Sequence, residues 1–190
     1  MRFLLVTGVE ESNRDEITGL ALRGVKKSLP NFRYLRFSDI MNIPEGTSCL
    51  SGDETIDDIH KIREKFRRRL KKMLVSEMKK GTNVIVSTYL TLNTRYGYLP
   101  LLSCEFFSVF RPDMLVLMEV ETDVKGSRVK RIFGSRENLG LIEEQQRINR
   151  EYAVQCLSVS DSFLKILRVQ PDNIKRTLRE VSEIIRFGVG

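Results

Sequence analysis

The sequence predicts an α/β protein: an open, parallel five-stranded sheet with helices on both faces. Three observations predict it. Five short apolar runs recur along the chain, segments with helical periodicity separate them, and the 190 residues fit one domain, here taken as 1–190. The alternation reads βαβαβαβαβα.

RFLLVT (2–7) is an uninterrupted apolar run that ends at a glycine, the pattern of a strand buried on both faces. Residues 14–28 place Ile17, Leu20, Ala21, Gly24 and Val25 at helical spacing. FRYLRF (32–37) alternates after the Pro30-Asn31 break and reads as a strand. A long helix is expected over 54–80, with Gly81 as its stop. NVIVSTY (83–89) is β-branched and apolar, a third strand. A loop with Gly97 and Pro100 leads into a helix over 100–110, closed by Pro112. MLVLMEV (114–120) is the fourth strand. Residues 122–138 are polar and basic, and 139–158 are helical. FLKILRV (163–169) is the last strand, before a helix over 173–187.

Ligands of such sheets bind beyond the carboxyl ends of the strands, so loops 8–16, 38–53, 88–99 and 121–138 are the ones to inspect. No apolar run approaches the roughly 20 residues of a membrane span. Three cysteines (Cys49, Cys104, Cys156), an odd number without a CxxC, argue against a disulfide framework and suit a reducing cytoplasm. All three read as small buried apolar groups. The single histidine, His60, rules out a His-rich zinc site, and no metal-ligating cluster is expected.

The net charge is +7, which points to anionic partners without choosing among them. Residues 53–80 carry ten basic and six acidic side chains, and 125–150 carry seven and three. The densest stretch, KIREKFRRRLKK (61–72), holds eight basic residues and one acidic one. Two readings stand. Ile56, Ile59, Phe66, Leu70, Met73 and Leu74 recur at helical spacing, which makes the charges a solvated helix face. Alternatively Arg67, Arg68, Arg69, Lys71 and Lys72 form a nucleic-acid footprint, although Phe66 is the only aromatic among them.

The first strand runs into GVEESNRDEIT and then a helix. A phosphate-binding loop requires GxxxxGK[ST] in that setting. Gly8 fits the first glycine; Asn13, Arg14 and Asp15 stand at the second glycine, the lysine and the Ser/Thr. Further along come Thr94-Arg95-Tyr96-Gly97-Tyr98-Leu99-Pro100, Arg111-Pro112-Asp113, and Ile142-Glu143-Glu144-Gln145-Gln146-Arg147-Ile148-Asn149-Arg150. With these segments in this order, the chain resembles the archaeal type of adenylate kinase, a P-loop nucleoside monophosphate kinase, over residues 1–189. The resemblance implies an acceptor-nucleotide region around 38–60, a mobile lid around 122–138, ATP and Mg²⁺ as cofactors if the chain is active, and a homo-oligomer, typically a trimer. It makes Gly8, Asn13, Arg14, Asp15, Ser38, Gly97 and Tyr98 nucleotide-binding candidates. It makes Arg14, Arg131, Arg136 and Arg150 candidate phosphoryl clamps.

The departures concern the chemistry. Asn13 is the best non-glycine substitute, because Asn tolerates the left-handed region. Arg14 keeps the charge in a larger, planar group. Asp15 replaces a Mg²⁺-binding hydroxyl, and with Glu10, Glu11 and Glu16 leaves the loop at −3. Where the resemblance implies Asp-Thr-His after the third strand, the chain has Ser87-Thr88-Tyr89. The expected function is an adenylate-kinase-like protein without efficient activity that binds a nucleotide or another phosphate ligand. Three alternatives remain: a working nucleoside monophosphate kinase with Arg14 in place of lysine, an RNA- or ribosome-associated module using the basic helix, and a structural partner subunit that binds no small ligand. Arg147 and Arg150 have a plainer role open to them, pairing with Glu143 and Glu144 on their own helix.

Overall fold

A computed structural model describes residues 1–29, 31–44, 50–123, 135–170 and 173–189. The elements in chain order are β1 (Phe3–Gly8), α1 (Arg14–Val25), β2 (Phe32–Arg36), α2 (Phe37–Met41), α3 (Ile56–Lys80), β3 (Asn83–Ser87), β4 (Thr91–Thr94), β5 (Gly97–Pro100), α4 (Cys104–Phe110), β6 (Met114–Val120), α5 (Arg136–Ser160), β7 (Phe163–Val169) and α6 (Ile174–Val189).

The main sheet is parallel throughout, in the order β2-β3-β1-β6-β7. All six residues of β1 are buried, as its uninterrupted apolar sequence requires for a central strand. The twofold period of the strand divides the core. Phe3 and Leu5 join Phe66, Leu70 and Leu74 of α3, Phe106 and Phe107 of α4, and Ala153 and Cys156 of α5. Leu4 and Val6 join Ile17, Ala21 and Leu22 of α1 and Val181 and Ile185 of α6. Among the described residues α2, α3, α4 and α5 therefore cover one face and α1 and α6 the other. β1 has β3 and β2 on one side and β6 and β7 on the other, so its carboxyl end opens at the switch point of the sheet.

The helix ends follow the sequence. Thr55 caps α3 through the Asp58 amide while its own hydroxyl donates to Asp58, and Gly81 stops the helix at φ 67°. Ser103 and Ser135 cap α4 and α5 through the amides of Phe106 and Asn138.

Four expectations are corrected. The expected loop between strand and helix is an antiparallel hairpin, β4–β5, with Gly97 at φ +108° just after its turn. The helix expected from residue 100 starts at Cys104, because Pro100 closes the hairpin and Ser103 is the cap. The strand expected to run to residue 37 ends at Arg36, where Asp39 closes a capping box and opens α2. The strand expected to reach residue 89 ends at Ser87. Of the cysteines, Cys156 is buried, Cys104 is half-buried and Cys49 lies outside the described residues.

Candidate functional site

β1 delivers Gly8 to the switch point. A side chain there would run into the Met118 carbonyl oxygen of β6 and the Ser12 hydroxyl, so the protein's own packing demands the glycine. The chain then makes one tight turn, Glu10–Ser12. The Ser12 amide donates to the Val9 carbonyl (3.2 Å), the Asn13 amide to the Glu10 carbonyl (3.1 Å), and the Ser12 hydroxyl to Val9 (2.6 Å). Glu10 and Glu11 point to solvent. Asn13 takes the left-handed conformation, φ 49° and ψ 33°, and leads into α1.

Arg14 turns inward and is only 3% exposed. Its guanidinium carbon lies 4.0 Å from the centre of the Tyr89 ring, and Nη1 donates to the Gly8 carbonyl (3.3 Å). Nε is 3.6 Å from Asp15 Oδ1, an electrostatic contact too long for a hydrogen bond. Tyr89 meets Phe37 edge-on at 5.3 Å, and Phe37 stacks on Phe66 at 5.0 Å. The arginine thus ends a chain of aromatic contacts reaching α3.

The hydroxyl of Ser87, at the end of β3, donates to the Asp15 carboxylate. Tyr34 of β2 donates to the Asp15 carbonyl at 3.2 Å. Burial, and then the negative charge of Asp15, hold the Tyr34 phenol far above its ordinary pKa. Gly8, Asn13, Arg14 and Asp15 are therefore brought together, with Ser87, Tyr89 and Tyr34 completing the cluster.

The other candidates stand apart. Arg150 of α5 makes a two-pronged pair with Glu119 of β6, Nε to Oε1 at 3.0 Å and Nη2 to Oε2 at 2.5 Å. It is this pair, rather than Glu143 or Glu144, that fixes Arg150, whereas Arg147 pairs with Glu151 at 2.9 Å. Gln146 holds both backbone groups of Val120, and the Thr91 hydroxyl donates to Asn149 at 2.7 Å, so this segment braces β6 and the hairpin. Gly97 and Tyr98 lie on β5, and burial raises the Tyr98 pKa. The Ser38 carbonyl accepts from the Ile43 amide at 3.1 Å, closing α2. Arg136 is the first residue of α5. Arg131 and most of the 122–138 segment lie outside the described residues, as do 45–49 of the 38–60 region.

The basic residues of α3 separate into two groups. Arg67 donates to the carbonyls of Leu101 (2.7 Å) and Pro100 (3.1 Å), and Arg69 to those of Met41 (2.7 Å) and Ile40 (3.2 Å). Both turn inward and staple loops. Arg68, Lys71 and Lys72 are exposed, as is His60.

Sequence reasoning missed Glu119 and the role of Tyr89. A lone carboxylate inside MLVLMEV was the signal for the first, since a buried charge requires a partner. No local signal gives the second.

Several groups that a phosphate cradle would use are engaged within the protein itself. The Ser12 and Asn13 amides, which a phosphate cradle would aim at its ligand, are spent within the turn. Arg14 is buried against Tyr89. The carboxylate of the cluster, Asp15, accepts from the Ser87 hydroxyl.

The fold and the strand-turn-helix at its switch point define a P-loop kinase-like α/β protein. The profile of the AAA domain family matches residues 18–139, more than half of the chain, so the chain belongs to the AAA domain family, as a divergent, adenylate-kinase-like member. It is 25% identical over 195 residues to the adenylate kinase of Methanocaldococcus jannaschii, covering 97% of this chain and 98% of that one. It is 26% identical over 194 residues to the adenylate kinase of Thermococcus onnurineus, covering 98% and 96%. The crystal structure of a sugar kinase from Janibacter sp. HTCC2649, unliganded, aligns with a TM-score of 0.46 at 12% identity, covering 100% and 96%.

Proposed function

We propose that this chain is an adenylate-kinase-like protein whose donor-phosphate loop is closed by its own side chains, and that it lacks efficient adenylate kinase activity. The burial of Arg14 carries this reading. A cation needed at a transferring phosphoryl group must face the ligand, because such catalysis is positioning and charge neutralisation. Here the cation faces Tyr89 and Gly8 instead. The acidic first turn of α1, Asp15 and Glu16, already complements the helix dipole that would attract a phosphate. What remains is binding of a nucleotide or another phosphate ligand by the single domain 1–190, with its acceptor region near 38–60 and basic lid near 122–138, in the cytoplasm and as a homo-oligomer.

The test is ATP-dependent phosphorylation of AMP by the purified chain. No turnover above background is expected. Asn13→Gly, Arg14→Lys, Asp15→Thr and Ser87→Asp combined should bring turnover up by at least tenfold. Robust turnover by the unaltered protein overturns the reading.

One observation favours a second reading, a working nucleoside monophosphate kinase. Ser87 and Asp15 keep a hydroxyl and a carboxylate in contact, with the two positions exchanged relative to what the resemblance implies. That reading requires low-micromolar binding of a magnesium nucleotide that is lost in Arg14→Ala.

A further inference from the structure

The seven exposed cations of α3 are absorbed by neither reading, and their placement is not random. Ile59, Phe66, Leu70 and Leu74 fix the buried side of the helix. On the opposite side Lys61, Lys65, Arg68, Lys72 and Lys79 follow one another at intervals of three, four or seven residues, which keeps them on one stripe. At 1.5 Å per residue the stripe is about 27 Å long. Lys61 is 3.7 Å from Asp58. Lys65, Arg68, Lys72 and Lys79 have no ion pair among the described residues, whereas the inward Arg67 and Arg69 are held by carbonyls.

A groove of about 320 Å³ flanks this stripe, between α3 and α4. Arg68 and Lys71 form its α3 wall. Phe106, Val109 and Phe110 form the apolar side; the two rings are 4.9 Å apart, and Val109 is 61% exposed. Glu64 also lines it, but is neutralised by Arg63 and Arg67 at 3.4 and 3.3 Å; Glu105 sits in the first turn of α4.

We propose that the α3–α4 face binds single-stranded nucleic acid, with backbone phosphates along Lys65, Arg68 and Lys72 and a base in the Phe106–Val109–Phe110 groove. A linear track of unpaired cations beside an aromatic recess is the arrangement that single strands require, because phosphates and base faces are offered side by side. An anionic membrane fits less well. An interfacial helix must insert its apolar face, and that face of α3 is buried in the core. The surface lies outside the loop cluster, so this proposal and the previous one stand or fall separately.

The experiment is fluorescence anisotropy of the full chain with a labelled 12-nucleotide oligouridylate, across a salt series. Neutralisation by Lys65, Arg68, Lys71 and Lys72 predicts a slope of about −3 in log K against log salt. Lys65→Ala, Arg68→Ala and Lys72→Ala combined should reduce the slope to about −1 and weaken binding at least tenfold, with Tm unchanged. Phe110→Ala should weaken the oligonucleotide about tenfold while leaving inorganic polyphosphate binding nearly intact, an expectation resting on the usual worth of base stacking. A slope near zero, unchanged binding by the triple variant, or binding to phosphatidylserine vesicles but not to oligouridylate overturns the proposal. Equal affinity for polyphosphate and oligouridylate overturns the role of the groove.

Discussion

The Ser87 hydroxyl donates to the Asp15 carboxylate, tying the last residue of β3 to the first turn of α1 across the switch point of the sheet. Ser87 is fully buried, while the Asp15 side chain keeps 33% of its exposure. A hydrogen bond to a charged group is worth about 1.5–3 kcal/mol, and exposure of the acceptor brings the expectation to the lower end.

Ser87→Ala is therefore expected to lower stability by about 1–2 kcal/mol, read as a shift in the urea midpoint with an unchanged slope. Ser87→Asp should cost more, because it sets two carboxylates against each other. Combining it with Asp15→Thr should restore most of the loss. If the two substitutions are additive in the double-mutant cycle, the contact does not couple them.

Arg14 contributes through the face of Tyr89 and the Gly8 carbonyl. A desolvated cation–π contact is worth about 2 kcal/mol, so Arg14→Ala should destabilise by about 2–3 kcal/mol once the emptied volume is included. Arg14→Lys should recover only part of it, since an ammonium does not stack as a guanidinium does. Tyr89→Leu should remove most of the difference between the arginine and lysine forms. Equal midpoints for Arg14→Ala and the unaltered chain would place the guanidinium in solvent.

These two contacts mark where sequence reading stops. Three strands of the main sheet were legible as short apolar runs, FLLVTG, NVIVS and MLVLMEV, FRYLR by its alternation, and FLKILRV by its place between two helical segments. The β4–β5 hairpin was not, because Thr91–Thr94 and Gly97–Pro100 are four residues each, too short to show a twofold period. Phe37 extended the alternation of FRYLR and so hid α2, whose start is set by the Arg36–Asp39 capping box. In the loop, the residue types were legible and their directions were not. The direction of Arg14 depends on Tyr89, a residue brought to it only by the pairing of β1 with β3. Arg150, legible in the sequence only as a phosphoryl clamp or a partner of Glu143 and Glu144, meets Glu119 because α5 packs on β6.

Glu119 is almost fully buried, its side chain 4% exposed, and Arg150 is its ion-pair partner. Removing that partner strands a carboxylate in the protein interior. Arg150→Ala is expected to cost about 2–3 kcal/mol, less than a fully buried pair because half of the arginine side chain is in solvent. Arg150→Ala with Glu119→Gln should be more stable than Arg150→Ala alone, which a purely ligand-binding arginine would not produce. Thermal unfolding of the three variants decides it.

Cys156 carries a pH-dependent prediction. Burial is the main influence on its thiol, with the nearby Cys104 adding to it, and together they push its pKa from 9.0 up to about 12. The unfolded chain therefore releases this proton above pH 9, while the folded chain holds it until about pH 12. Over that window the unfolded state binds fewer protons, so stability falls as pH rises; below pH 9 the term is fully present. The loss at pH 10.5 should be on the order of 1–2 kcal/mol. Cys156→Ala lowers stability at pH 8, since it removes a buried side chain, but should lessen the decline between pH 8 and pH 10.5, the remainder coming from buried phenols such as Tyr34. The same burial predicts that Cys156 resists alkylation in the native protein at pH 8 and reacts after unfolding in urea. Rapid labelling of the native thiol, or an alkaline decline identical in Cys156→Ala, would show that the thiol is not held in the core between α5 and the sheet.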